Sequence, residues 1–490
     1  MERNEQFAAL SYAVRGRVVL KYTGQLALIQ AALNLIPLAV AMLYGESRMA
    51  WCFFIVSMVL AVAAAPWVRF PEPKRLLRSE TLVVACLAFI IGAGAMVYPF
   101  TAAGFSFLDA LFETTSGITT TGLTTMVNIG GQLKSVQFGR AWLQWCGGMG
   151  IVVLTLALLA DPHIAFKHLL VPLEESEGLV TGVRFHARRA VAVYLALTAC
   201  ATAALRLSGL DGFSATVLAL SAVSTGGFSI HDDSIATLPF VPGQLIVTLA
   251  CFLGAVSLSL YHRSYTQRTW EVFSNVETRG LLLVTTITIA LLALMLTNEA
   301  GLGWAESLKH AFLLGMSAQS TCGFSSLDVG ALGADVKGVL IASMTIGGEM
   351  GSTAGGLKIM RLLILARLVH FAIHSSGTPS HAVLEPRLDG QRIEARALTE
   401  VLTFASLFGA VVFVSWVPFA SLGHDPLDSL FEIVSAMGTV GLSTGITGHD
   451  LHPLLKGILC LDMLAGRLEI IALLVLINPR TWLGKRVQSL

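Results

Sequence analysis

One nine-residue outline, S-[AG]-x-[STG]-T-x-G-[LF]-[ST], occurs four times in this chain of 490 residues. The copies are SGITTTGLT at 116–124, SAVSTGGFS at 221–229, SAQSTCGFS at 317–325 and SAMGTVGLS at 435–443. Each lies between two apolar runs, near 80–99 and 140–160, 188–207 and 242–261, 279–297 and 336–372, and 398–420 and 455–477. Two further runs, 24–44 and 50–68, come first. A run of about 20 apolar residues crosses a bilayer as a helix. A unit repeated in tandem folds as one supersecondary element used again and again. Charged residues are only 13%, against about 25% in soluble proteins, and mean hydropathy is +0.73. The chain therefore reads as an all-α polytopic membrane protein. It has four tandem helix–pore-helix–helix repeats around one pore, preceded by two N-terminal transmembrane helices.

The flanks carry the repeat further. Asp109 and Glu113 precede Ser116 by the same offsets as Asp428 and Glu432 precede Ser435. The stretches holding them, of about 12 residues, are too short to span and read as re-entrant half-helices. The expected divisions are 1–78 for the N-terminal segment and first two helices, then repeats at 79–162, 163–277 and 278–374. A cytoplasmic loop and the fourth repeat occupy 375–490. With the N-terminus cytoplasmic, about 24 of the 32 Lys and Arg fall on the inner face, as positive-inside sorting requires. They begin with Arg3, Arg15 and Arg17 and include Lys74, Arg75, Lys167, Lys485 and Arg486. Arg48, Lys134, Arg140, Arg206, Lys309, Lys337 and Lys456 remain outside. The four repeated segments then lie toward the outer side. The first residues lack the apolar core and cleavage site of a signal peptide. The net charge of +1 gives no reason for a nucleic-acid partner. Seven scattered cysteines with no CxxC pair read as small packing residues.

Irregular backbone at membrane depth costs several kcal/mol per unsatisfied polar group, unless it is buried in protein or lines a water-filled path. Four such segments argue for one shared pathway. Thr-x-Gly supplies backbone carbonyls, which replace the hydration shell of an alkali cation. The negative end of each preceding half-helix also favours a cation. The candidate ion-binding residues are Thr120, Thr121 and Gly122, then Thr225, Gly226 and Gly227, then Thr321, Cys322 and Gly323, and finally Thr439, Val440 and Gly441. No HExxH, GxSxG or paired His/Cys spacing is present, which argues against a polytopic membrane enzyme.

The run at 336–372 is too long for one span. Its middle, Gly347-Gly348-Glu349-Met350-Gly351-Ser352-Thr353-Ala354-Gly355-Gly356, is a poor helix. A broken helix there predicts a loop across the cavity below the pore segments. Arg467, 11 residues before Asn478, or roughly 16 Å along a helix, falls near mid-membrane. An arginine at that depth is functional by default and needs a partner. Glu349 is the candidate. Its pairing with Arg467 in the shut state is the expectation.

These motifs, with RAWLQWCGGMGIVVL at 140–154, IGGEMGSTAGGLKIMR at 346–361 and MLAGRLEIIALLVLINPRTW at 463–482, resemble the Trk/Ktr/HKT superfamily of potassium transporters. The two extra N-terminal runs suit its bacterial Trk-type pore subunit. The resemblance covers about residue 70 to the end. It implies potassium ions as substrate, no cofactor held by this chain and a multi-pass position in the bacterial inner membrane. It also implies a homodimer among membrane lipid and a cytosolic nucleotide-binding regulatory subunit. The loop at 374–398 is the candidate docking surface for that regulator. Glycine at 122, 227, 323 and 441 resembles the potassium-selective pattern, a serine at the first place going with sodium-selective plant relatives. Cys322 is a mild departure whose side chain is expected to point away from the ion. The segment at 347–356 resembles an intramembrane gate, with Gly347, Gly348, Glu349, Gly351, Ser352, Gly355, Gly356 and Arg467 as its residues. Glu349 stands where relatives carry a small or neutral residue. A proton- or sodium-coupled symporter remains the alternative within this reading.

Overall fold

The apolar stretches before the four repeated segments fold as short helices, and everything else is arranged around them. A computed structural model describes residues 13–71, 73, 76–159, 179–268, 270–299, 303–377 and 385–483. Arg3, Lys74, Arg75, Lys167, Lys485 and Arg486 lie outside the described residues, as does 378–384 of the proposed docking loop. Gly16–Leu33 (α1) and Leu35–Leu43 (α2) meet at Asn34, and Ser47–Val68 (α3) packs along α1. The first repeat is Arg78–Ala102 (α4), Phe107–Ile118 (α5) and Lys134–Leu159 (α6). The second is Leu179–Leu207 (α7), Gly212–Val223 (α8), Leu245–Ala255 (α9) and Leu258–Gln267 (α10). The third is Val276–Glu299 (α11), Trp304–Gln319 (α12), Ala334–Ile346 (α13) and Ile359–Ser376 (α14). The fourth is Ala395–Ser421 (α15), Pro426–Met437 (α16), Pro453–Arg467 (α17) and Ile471–Ile477 (α18). A two-stranded hairpin, Arg387–Leu388 with Gln391–Arg392, lies between α14 and α15, inside the loop at 374–398.

The short helices α5, α8 and α16 start where the sequence offers caps. Ser106 accepts from the Asp109 amide, Asp211 from Phe213 and Ser214, and Asp425 from Leu427 and Asp428, with Pro426 at the first helical position. Such residues satisfy donors a helix leaves orphaned. Each short helix packs against the second helix of the repeat before it: α8 on α6, α12 on α9, α16 on α13 and α5 on α17. The last of these contacts closes a ring, so the repeats surround a common axis.

Among the described residues seven helices are long and apolar enough to cross a membrane, and a bent pair would make eight. Two runs expected as single spans are broken. The run at 242–261 turns by 86° between α9 and α10. The run at 455–477 stops at Arg467 and resumes at Ile471, with Glu469 and Ile470 at φ 57° and 56°. The run at 336–372 breaks as expected, at Gly347. The first and third of these breaks are coupled. A helix end leaves carbonyls without partners, and the segment after Gly347 takes up those of α9: Glu349 N donates to Ala255 O at 3.0 Å and Thr353 N to Gly254 O at 3.2 Å. A loop cannot enter a bundle of unbroken helices.

Candidate functional site

The four repeated segments meet head to tail. A Cβ placed on Gly122 would collide with the Gly226 carbonyl, on Gly227 with that of Cys322, on Gly323 with that of Val440, and on Gly441 with that of Thr121. Every one of these contacts is closer than the 3.0 Å that real Cβ atoms keep. The four glycines also have φ of 92°, 79°, 84° and 94°, a region in which glycine alone is unstrained. Thr120, Thr225, Thr321 and Thr439 sit at φ 56°, 53°, 53° and 50°. A left-handed β-branched residue is a genuine outlier, and here it occurs at the same place in all four copies. One backbone bond recurs with it. The amides of Thr121, Gly226, Cys322 and Val440 donate to the carbonyls of Ser116, Ser221, Ser317 and Ser435 at 2.8–2.9 Å. Strain repeated with fourfold regularity persists only where surrounding structure over-determines it.

The surroundings do so with buried charge. Glu113 accepts from Thr124 Oγ1 at 2.6 Å, Thr125 N at 2.7 Å and Arg140 Nε at 3.0 Å. Glu432, its counterpart, accepts from Ser443 Oγ at 2.6 Å and Thr444 N at 2.7 Å. Asp109 meets Lys456 Nζ at 2.6 Å and Asp428 meets Lys337 Nζ at 2.7 Å, stitching the fourth repeat to the first and the third to the fourth. Arg140, Lys337 and Lys456, counted above as outer-face cations, are therefore buried struts. Sequence reasoning missed a fourfold position here. Gln137, Gln244, Lys337 and Lys456, 20–23 residues after the leading serine of each copy, all donate to carbonyls of the loop following the repeated segment. That offset was legible; what hid it was the change of residue type from glutamine to lysine. Asp232 accepts from Ile129 N at 2.8 Å and ties the first two mouths together. Cys322 buries its sulfur against Cys251, 2.6 Å from Sγ to Sγ.

Residues 347–358 pack directly beneath this ring. Thr353 Oγ1 donates to Gly254 O at 2.9 Å and meets Thr225 Oγ1 at 3.2 Å. Gly355 N donates to Thr321 Oγ1 at 2.7 Å, and a Cβ on Gly355 would strike Gly438 O and Thr439 Oγ1. The loop thus touches the left-handed threonines of three segments. Lys358, at φ 75°, donates to the carbonyls of Ala354 and Glu349 and closes the loop on itself. Gly347, Gly351 and Gly356 take positive φ, while Ser352 Oγ donates to Glu349 O at 2.6 Å.

Arg467 and Glu349 do not pair. Arg467, 3% exposed, donates to Thr353 O at 2.7 Å and Gly147 O at 3.4 Å. Glu349 accepts from Ser257 N at 2.9 Å. The break after α17 aims the guanidinium at the centre of the loop, while Glu349 at its start turns to the α9–α10 break. Glu469, beyond the helix end, instead meets Arg361 Nη2 at 2.6 Å.

The family described as TrkH, cation transport protein, matches residues 53–482. This chain belongs to the TrkH family. An Escherichia coli K12 relative named Trk system potassium uptake protein TrkH is 29% identical over 484 residues, covering 95% of this chain and 99% of its own. An uncharacterized cation transporter of Methanocaldococcus jannaschii is 29% identical over 462 residues, 94% of each chain. The crystal structure of the potassium transporter TrkH from Vibrio parahaemolyticus superposes with a TM-score of 0.87 at 25% identity, covering 96% of this chain and all of that one. The TrkH fold accordingly extends across the chain, the two N-terminal helices included.

Proposed function

We propose that this TrkH-family chain takes up potassium ions through the ring formed by its four Thr-x-Gly segments. The observation that carries the reading is the cyclic contact of each filter glycine with the carbonyl of the next segment. Four copies held at one radius present equivalent oxygens to a single ion, which is what dehydration of an alkali cation demands. The residues bearing it are Thr120–Gly122, Thr225–Gly227, Thr321–Gly323 and Thr439–Gly441. Their relatives' names, potassium uptake protein and potassium transporter, support potassium as the ion.

The loop at 347–358 is the gate of this reading. It occupies the inner mouth, is locked by Arg467 to Thr353 O, and must leave for an ion to pass. The cytoplasmic side holds the N-terminus and the hairpin loop, where a nucleotide-binding regulator docks, and the transporter works as a homodimer in the inner membrane. Uptake by proteoliposomes tests the function directly. Potassium and rubidium enter in preference to sodium, and addition of the regulator raises the rate. Equal entry of sodium would sink the filter assignment.

A further inference from the structure

Behind the gate loop three buried oxygens have no hydrogen-bond partner: Glu349 Oε1, Glu277 Oε1 and Thr278 Oγ1. Glu349 is 0% exposed and Glu277 and Thr278 are each 2% exposed. They belong to one cluster. Glu277 and Thr278 are consecutive in the first turn of α11. Glu349 and Met350 are consecutive in the loop; the Met350 amide and the Glu349 carboxyl both face Glu277, and Thr278 lies beside the Glu349 carboxyl. The charged and titratable groups around the pair are Lys358 and Arg361 from the start of α14 and Tyr261 from α10. None is bonded to either carboxyl. Lys358 is bonded to loop carbonyls, Arg361 to Glu469, and Tyr261 donates to Leu253 O.

Burying an ionised carboxylate with an empty acceptor is far costlier than protonating it. Two carboxyls that share a site hold one proton between them. One proton removes one of the two buried charges. A hard metal cation such as calcium takes about six or more oxygens, and three are left here. We infer that Glu277 and Glu349 form a proton-binding site that latches the loop at 347–358 to α11, so that loss of the proton releases the loop. This rests on the reading of that loop as the gate. With the proton bound, the pair clasps α11 to the loop. Without it, two carboxylates repel across a dry contact, and flux rises with pH, by up to about tenfold per pH unit for one proton.

The test combines infrared spectroscopy and flux on full-length protein in liposomes. Wild type shows a protonated-carboxyl C=O band that titrates, and both Glu349→Gln and Glu277→Gln remove it. Potassium flux rises over the same pH range in wild type and stays at the low-pH level in Glu349→Gln, whose amide mimics the protonated acid. Absence of any band sensitive to these substitutions overturns the proton site. Disappearance of the band on adding sodium at fixed pH overturns it in favour of a metal cation. A titrating band with pH-independent flux overturns the latch and, separately, the gate reading on which it rests.

Discussion

Gly122→Ser is the substitution that most directly tests the ring. Its φ of 92° strains any other residue by about 1–3 kcal/mol. The new Cβ also points at Gly226 O, inside the 3.0 Å limit, so that this carbonyl must retreat by about 1 Å to reach ordinary contact. Strain alone corresponds to a factor of about 5–150 in population of the intact ring, at about 1.4 kcal/mol per tenfold. The displaced carbonyl belongs to the second segment, so damage in the first repeat spreads to its neighbour. Gly45→Ser is the control: its φ is 73°, but nothing lies within 4 Å of the added Cβ. The assay is competitive uptake of rubidium and sodium in proteoliposomes. Gly122→Ser lowers potassium-type uptake or its preference over sodium at least about tenfold, while Gly45→Ser keeps both. Wild-type uptake and preference in Gly122→Ser would refute the reasoning, because no ring closed at that distance can absorb a methylene without moving.

Lys456→Met leaves the buried Asp109 carboxylate with only Ser106 and the exposed His449 and lowers stability by about 3–5 kcal/mol. The paired replacement Asp109→Leu with Lys456→Met recovers much of it, read as thermal unfolding in detergent; equal loss in both would show that the ion pair does not hold the repeats together. Arg467→Gln frees Thr353 O and raises regulator-independent leak. An unchanged leak would remove Arg467 from the gate. Exchanging the charges as Glu349→Arg with Arg467→Glu restores neither uptake nor gating, since the two groups bond elsewhere; rescue by the swap would revive a direct pair. Thr353→Val deletes the hydroxyl bonds to Gly254 O and Thr225, each worth about 1 kcal/mol, and opens the loop up to about thirtyfold more often, as measured by single-channel recording or stopped-flow flux.

Periodic features were legible because they are local and repeated. The T-x-G outline located all four segments, and the Asp109/Glu113 and Asp428/Glu432 offsets pointed to matching roles that the ion pairs and loop contacts fill. The weak helix former at 347–356 signalled its own break. Single occurrences fared worse. Arg467 and Glu349 were matched as the opposite charges at hand, yet each is satisfied by backbone groups, Arg467 by carbonyls of Thr353 and Gly147 and Glu349 by the Ser257 amide beyond the end of α9. The breaks at 256–257 and 468–470 left no comparable signature, since Val256, Ser257, Leu468, Glu469 and Ile470 include no glycine or proline to punctuate the helix.

From its residue pattern alone this chain was bound to span a membrane repeatedly and to bring four strained Thr-x-Gly turns to one axis. Apolar length and tandem repetition are properties of the linear chain, and lipid leaves no other way to satisfy the backbone. Tertiary structure alone decided which cation serves which acceptor, where the helices part for the loop, and that Glu277 stands opposite Glu349. Those outcomes depend on which backbone groups are orphaned once the repeats have closed into a ring, and 71 residues of intervening chain carry no record of that meeting.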